Sequence, residues 1–307
     1  MVRGRITIGI TCHNAADTIA RAVTSALRQD WPDLEVVAVD DCSTDGSWGI
    51  LSELAAQEPR LKVVRHEVNK GYPSALNSIL SRASGEFVAI FDDDDDHVAD
   101  RLRAQVERIT TYEKVTGATL VLCYSNRAVV KTGQSGADHI AQAIGRVAPE
   151  PHGPEVADYI LGIGGRSDRI WGMFGSCTLM ARKSTFDAIG PFDPNFRRSA
   201  EWDMAIRAAQ MGAYFISVDR PLITQYKTQS EDKSGLKPLH YALMLRDKHR
   251  DYLDQRGLYH ASRMFARSNF WGNKKHRLKS RFYRALGYAL APQLIPAYLT
   301  RRSGGAK

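Results

Sequence analysis

Over the first 125 residues, short apolar runs alternate with amphipathic stretches. Residues 6–11, 34–40, 61–66, 87–91 and 119–124 read as strands. The 34–40 run is almost continuously apolar and ends in acid, which is how a strand covered on both faces reads. Between these runs, 16–28 places Ile19, Val23, Ala26 and Leu27 on one helical face, and 48–57, 74–83 and 101–113 carry similar periods. Strands alternating with helices of this length predict βαβ crossovers and a mostly parallel sheet, whose ligand crevice lies at the carboxyl ends of the strands.

The pattern then changes. Residues 131–165 hold Gly, Pro, Ser and His with little period, apart from a short helix at 156–161, and read as a loop or an acceptor-facing insertion. A second block follows, with strands at 176–181 and 214–218 and helices at 183–189 and 201–211. Beyond 225 the chain reads as helical and basic. The formal charge of +8 over 307 residues sits entirely there: residues 246–307 hold 15 Lys and Arg against 3 Asp and Glu, and the remainder is net acidic at −4. No nucleic-acid motif accompanies the charge, so nucleic acid is not expected as a partner. Four scattered cysteines form no zinc or disulfide pattern. The N-terminus has no signal-peptide pattern, and no run of about 18 apolar residues occurs, so the expectation is a cytoplasmic protein without a membrane span.

Three strand or helix ends carry acids. The 34–40 strand runs into Asp40, Asp41, Ser43, Thr44 and Asp45; Phe91 is followed by five aspartates, Asp92 to Asp96, and His97; and Glu201-Trp202-Asp203 opens a helix. Five adjacent carboxylates repel one another. A hard divalent cation with oxygen ligands relieves that, and such ions commonly bring a nucleoside diphosphate with them. A solvated acidic loop capping the next helix accounts for the same residues equally well.

The runs at 6–14, 22–29 and 34–47, then Asn69-Lys70-Gly71, the 85–92 strand and the 201–207 segment stand in an order that resembles family-2 glycosyltransferases over residues 5–230. The resemblance implies an α/β GT-A fold, Rossmann-like, with a mostly parallel central sheet flanked by helices and a basic helical C-terminal extension. It divides the chain into a GT-A domain at 1–230, with a nucleotide-binding half (1–125) and an acceptor-binding half (126–230), and an extension at 231–307. By position it implies that Thr11, His13, Asn14, Asp41, Asp92 and Asp93 bind the donor nucleotide, with His13 standing where the family usually has an aromatic ring. Asp92 and Asp94 would hold a divalent metal, Mn²⁺ or Mg²⁺, as a D-x-D motif. Glu201 would be the catalytic base where the family has Asp, with Asp203 as the alternative. Residues two apart on a helix do not share a face, so only one of the two can serve. Leu76 replaces a frequent Arg, and 227–229 lack a frequent His, which shifts diphosphate neutralisation toward the metal.

The implied activity is metal-dependent, inverting transfer of a sugar from a nucleotide-sugar donor, a UDP-sugar first, to a hydroxyl of a glycan or lipid-linked acceptor in cell-surface polysaccharide synthesis. A sugar nucleotidyltransferase is disfavoured because Cys12-His13-Asn14 stands where its Gly-rich phosphate loop would be. A catalytically degenerate nucleotide-sugar-binding or scaffold protein is the alternative. Basic and aromatic residues interleave from 270 to 302, which suits either peripheral contact with the inner face of a membrane or packing against the main domain.

Overall fold

The computed structural model describes residues 4–131, 136–164, 169–226 and 235–295. Four strands, β1 (Ile6–Cys12), β2 (Leu34–Asp40), β3 (Leu61–Arg65) and β4 (Phe87–Phe91), form a parallel unit in the order β3-β2-β1-β4. Helices α1 (Ile19–Leu27), α2 (Ser47–Gln57) and α3 (Tyr72–Arg82) make the crossovers. The apolar runs are continuous because both faces are covered. Val36 and Ala38 on β2, with Phe87 and Ala89 on β4, join one buried cluster beneath α1 and α4 (Arg101–Thr116). Val37, Val39, Val88 and Ile90 point the other way, into the cluster that holds Leu76 and Ile79 of α3. Gly9 lets α3 approach so closely: a Cβ there would lie 2.4 Å from the Ile79 side chain.

Beyond β4 the sheet becomes mixed. The two-residue strand β5 (Asp96–His97) pairs antiparallel with β9 (Tyr214–Tyr226). The long β6 (Val121–Val130) runs parallel to β9 and antiparallel to β7 (His139–Ala141) and β8 (Met180–Arg182), and β8 closes onto β4. The expected strand at 176–181 is mostly a 3-10 turn, Ser176–Thr178, and only its end joins the sheet. The poorly patterned 131–165 stretch contributes β7 and α5 (Pro154–Leu161), which packs on α7 (Ala200–Gln210); α6 (Lys183–Ile189) follows β8 and also contacts α7. Gly145, in the loop between β7 and α5, has φ +79, and a Cβ there would sit 2.1 Å from the Phe215 carbonyl oxygen of β9. Gly145→Ala is therefore expected to destabilise by about 2 kcal/mol or more, because both the backbone angle and the space oppose it. A melting temperature within a degree of wild type would contradict this.

The chain after 235 is helical, as its composition predicts: α8 (Lys237–Lys248), α9 (Arg250–Asp254), α10 (Tyr259–Asn273) and α11 (Arg277–Leu290). Leu245, Leu253, Ala261 and Phe265 share one buried cluster with Phe174 and Phe215 of the second half. No helix among the described residues is long and apolar enough to cross a membrane.

Candidate active site

Because β1, β2 and β4 are parallel neighbours, with Cys12 opposite Asp40 and Ile10 opposite Phe91, the loops that follow them emerge side by side. Thr11 is buried at this edge. Asn14 follows in the left-handed region (φ 52), which few residues other than Asn and Gly adopt readily. Its Oδ1 accepts the Thr44 N–H at 2.9 Å, and its own N–H donates to the Ser43 hydroxyl at 3.0 Å. The β1 and β2 loops are thereby locked together. The His13 ring lies across this junction, with Nδ1 3.0 Å from the Asp41 carbonyl oxygen and the Asn69 amide within 3.3 Å. The His13 N–H donates to the Asp93 carboxylate at 3.2 Å, which joins the third loop to the other two. The donor-binding residues inferred from sequence thus converge on one crevice.

Asp41 differs from the others in one respect. It is buried, and its carboxylate accepts the Lys70 N–H (2.9 Å) and Gly71 N–H (2.7 Å) and meets His66 Nδ1 at 2.7 Å. Three of its four lone-pair positions are taken, so it shapes the turn before α3 and keeps at most one free for a nucleobase. Leu76 is buried in the core, and Asn77 grips the Phe192 backbone in both directions at 2.8 Å. The stretch 227–229, singled out for its missing His, lies outside the described residues.

The five aspartates divide by role. Asp96 pairs with Arg21 of α1 at 3.5 Å and accepts the Tyr226 hydroxyl at 2.9 Å, so it ties α1 to β9. Asp92 and Asp95 approach Cys177, with potential ligand atoms within 4.8 Å of one another. Asp95 is fully buried, and among the described residues neither of its carboxylate oxygens meets a hydrogen-bond donor. Burial raises the carboxyls first, and their neighbouring charges raise them further: Asp92 to about 6, Asp93 to about 7 and Asp95 to about 8, with Asp94 acting on all three. The Arg127 and Arg101 guanidiniums oppose the rise at Asp92 without cancelling it. An acidic group with orphaned oxygens and incomplete neutralisation fits a hard divalent cation. The D-x-D assignment put Asp92 and Asp94 on the metal, whereas the potential ligands that cluster among the described residues are Asp92, Asp95 and Cys177.

Glu201 and Asp203 open α7 after Ser199, whose backbone is left-handed (φ 69). They part company at once. Glu201 lines a cavity of about 160 Å³ together with Asp92, Arg127, Cys177 and Trp202. Burial lifts its carboxyl above the usual value, and the charge of Asp92 adds to this while those of Arg198 and Arg127 oppose it. Asp203 turns the other way and is fully buried, with Arg207 Nε at 3.0 Å, His249 Nε2 at 2.9 Å and Lys248 Nζ at 2.9 Å. Burial opposes its ionisation, but the His249 and Lys248 hydrogen bonds and the Arg207 charge outweigh it and hold the carboxyl at about 2. Of the two acids, only Glu201 borders the cavity that contains Asp92.

Sequence reasoning missed Arg127, Cys177 and Tyr72, whose hydroxyl donates to Ser176 at 2.8 Å beside the same cavity. Arg127 left a readable signal, a lone charge within the apolar strand 121–130, but the strand inferred from pattern stopped before it. Cys177 and Tyr72 left none, because their positions depend on how β8 and α3 meet in space.

A model of the family described as glycosyl transferase family 2 matches residues 7–184. The chain is 30% identical over 212 residues to the succinoglycan biosynthesis protein ExoU of Rhizobium meliloti, covering 68% of this chain and 58% of the relative. It is 32% identical over 126 residues to WfaP of Escherichia coli, a UDP-Glc:alpha-D-GlcNAc-diphosphoundecaprenol beta-1,3-glucosyltransferase, covering 41% and 47%. In each of these two matches the chain spans less than two thirds of the relative's length. Among solved structures, S. aureus TarS 1-349 in complex with UDP-GlcNAc superposes with a TM-score of 0.59 at 16% identity, covering 96% of this chain and 92% of TarS 1-349. Mannosyltransferase PcManGT of Pyrobaculum calidifontis, in complex with GDP-Man and Mn²⁺, gives 0.58 at 20%, covering 99% and 80%. At such identities the structural likeness establishes the shared GT-A fold. The family match spans the three strand-end loops and reaches past β8, so the crevice was built by a known lineage: this chain belongs to glycosyl transferase family 2.

Proposed function

We propose that the chain is an inverting, metal-dependent glycosyltransferase that moves a sugar from a nucleotide-sugar donor to a hydroxyl of a glycan or lipid-linked acceptor during synthesis of a cell-surface polysaccharide. The observation that carries this reading is the meeting of Glu201 with Asp92 across one small cavity. An acid from the acceptor half there faces the acidic strand end of the donor half. ExoU as a succinoglycan biosynthesis protein and WfaP with its diphosphoundecaprenol-linked acceptor support polysaccharide synthesis and a lipid-diphosphate-linked acceptor. The UDP-GlcNAc held by TarS makes a UDP-sugar the first donor to test. Residues 1–230 are then the catalytic domain, with 1–125 serving the donor and 126–230 the acceptor, and 231–307 is a C-terminal extension, helical over most of its described residues.

Thr11, His13, Asn14 and Asp93 surround the nucleotide, and the one lone pair left on Asp41 serves its base. Asp92 and Asp94, with Asp95 behind them, would hold the cation, Mn²⁺ or Mg²⁺, which supplies positive charge against the departing diphosphate. Glu201 takes the proton from the acceptor hydroxyl as that oxygen attacks the anomeric carbon, and the bond to the diphosphate oxygen breaks on the opposite face. One direct displacement inverts the centre, so an α-linked donor yields a β-linked product. Arg127, which lines the Glu201 cavity with Asp92, and Arg21, which donates to the Asp94 carbonyl oxygen at 2.7 Å, are cations of this chain at the acidic strand end, where the product diphosphate must be neutralised.

Thermal unfolding with UDP-, GDP-, CDP- and dTDP-sugars, with and without Mn²⁺, tests the site. A ligand at about 100 times its Kd adds about 2.7 kcal/mol of stability, which is readily seen as a higher melting temperature. One nucleotide class is expected to shift the wild type only with Mn²⁺, and Asp94→Asn is expected to remove the shift. A folded protein that responds to no nucleotide would move the reading to a degenerate or scaffold role.

A further inference from the structure

Helix α11 has two faces of opposite character. One face is packed: Ser280 and Gly287 are buried, and the Ser280 hydroxyl donates to the Ser268 carbonyl oxygen of α10 at 2.9 Å while the Ser268 hydroxyl returns the bond at 2.9 Å. A Cβ on Gly287 would meet the Phe265 ring at 2.6 Å, and Tyr288 stacks edgewise on that ring with centroids 5.1 Å apart. The other face carries Leu278, Phe282, Leu286 and Leu290, exposed by 83%, 64%, 38% and 47%. Their four-residue spacing makes a stripe, and a shift of two positions from Ser280 and Arg284 places it on the opposite side of the helix. Large apolar side chains in such a row on a free helix face mark an interaction surface.

The charge around the stripe indicates what covers it. Lys274, Lys275, Arg277, Lys279 and Arg281 lie around it, and no Asp or Glu occurs anywhere after Asp254. A second copy of the chain would have to bring two such cationic surfaces together, because a two-fold contact is self-complementary. An anionic bilayer complements them, and an amphipathic basic helix lying in the headgroup plane is the arrangement it favours. We propose that the outer face of α11 docks on an anionic membrane surface.

The inner face of the same helix gives the docking a use, which rests on the transferase reading above. Ser280, Arg284 and Tyr288 wall a groove of about 770 Å³ that also involves α5, α8 and α10. That groove reaches Met173, Phe174 and Trp202, which also border the Glu201 cavity. A helix seated in the bilayer surface therefore places the acceptor groove directly behind it, within reach of a saccharide carried on a membrane lipid.

Flotation of the full chain with vesicles of phosphatidylcholine and phosphatidylglycerol tests the docking. The protein is expected to float with these vesicles and far less with phosphatidylcholine alone. Leu278→Asp combined with Phe282→Asp, both on the exposed face, should lower the vesicle-bound to free ratio about a hundredfold. The nucleotide-induced melting shift of that variant should match wild type, which reports separately on folding and on the donor site. Wild type that stays with the unbound protein, or a double variant that floats as well as wild type, would overturn the proposal. So would a wild-type dimer in size-exclusion chromatography with light scattering that the double variant converts to monomer, since the stripe would then belong to a second copy.

Discussion

Glu201→Gln is expected to lower the transfer rate by about three orders of magnitude while leaving the fold and the nucleotide-induced melting shift in place. Gln preserves the size and the hydrogen-bonding outline of the side chain and removes only its capacity to take a proton. The pH dependence gives a second signature. Burial raises the Glu201 carboxyl above its ordinary value of 4.5, and the nearby Asp92 charge adds to that. The working form is the ionised one, so the wild-type rate should climb with pH through this raised value and then level off. The residual rate of the variant should lack that limb. Stability should move the opposite way from activity. A carboxyl raised on folding binds its proton more tightly in the folded chain, so ionising it opposes folding above that range. At neutral pH, Glu201→Gln should therefore melt at or above the wild-type temperature, as expected where a half-buried charge is kept for use and not for stability. Transfer within threefold of wild type would remove Glu201 from the mechanism.

Asp203→Ala, two residues along the same helix, is expected to behave in reverse. It should cost about 3 kcal/mol of stability, because a fully buried carboxylate is withdrawn from Arg207, Lys248 and His249, which leaves Lys248 to Asp193, Arg207 to backbone carbonyls and the buried His249 Nε2 without its carboxylate. The sign of its pH effect follows from the direction of the shift. The carboxyl sits at about 2 in the folded chain against an ordinary 3.8. Its contribution is present above the ordinary value and is lost as pH falls toward the folded one. The amount is about 2 kcal/mol, and it should be absent from the variant. Chemical denaturation at neutral and acid pH reads both effects. If Asp203→Ala matched the wild type in stability yet lost transfer, the roles given to the two acids would have to be exchanged.

Much of the fold was legible because its strands and helices carry strong periods. The parallel unit β3-β2-β1-β4 and its three crossover helices stand within a few residues of where the apolar pattern puts them. The second half read less clearly for physical reasons. β7, β8 and the two-residue β5 are too short to show a period, and β6 runs on to Val130 through Asn126 and Arg127, which look like the end of a strand. Within the site, spacing and resemblance brought His13, Asn14, Asp41 and the aspartate run to one crevice. Spacing did not show that Asp41 is occupied by the backbone of residues 70 and 71, because a carboxylate that binds a loop and one that binds a base look alike in sequence. Nor did it separate Asp92 and Asp95, which face Cys177, from Asp96, which braces β9. The choice between Glu201 and Asp203 was confined by helical geometry to one residue, and the partners waiting on α8 and at the start of α9 assigned the other to structure.

The composition changes near residue 230, and a boundary drawn there by composition would cut between an enzyme and its appendage. Mechanically it cuts elsewhere. Asp203 is gripped by Lys248 and His249 from beyond that line, and Lys248 also reaches Asp193 at 2.8 Å in the loop before α7. The helix that presents Glu201 is thus bolted at its first turn to the C-terminal layer. A chain ended at 230 would keep every residue of the crevice and lose the fixture that aims one of them.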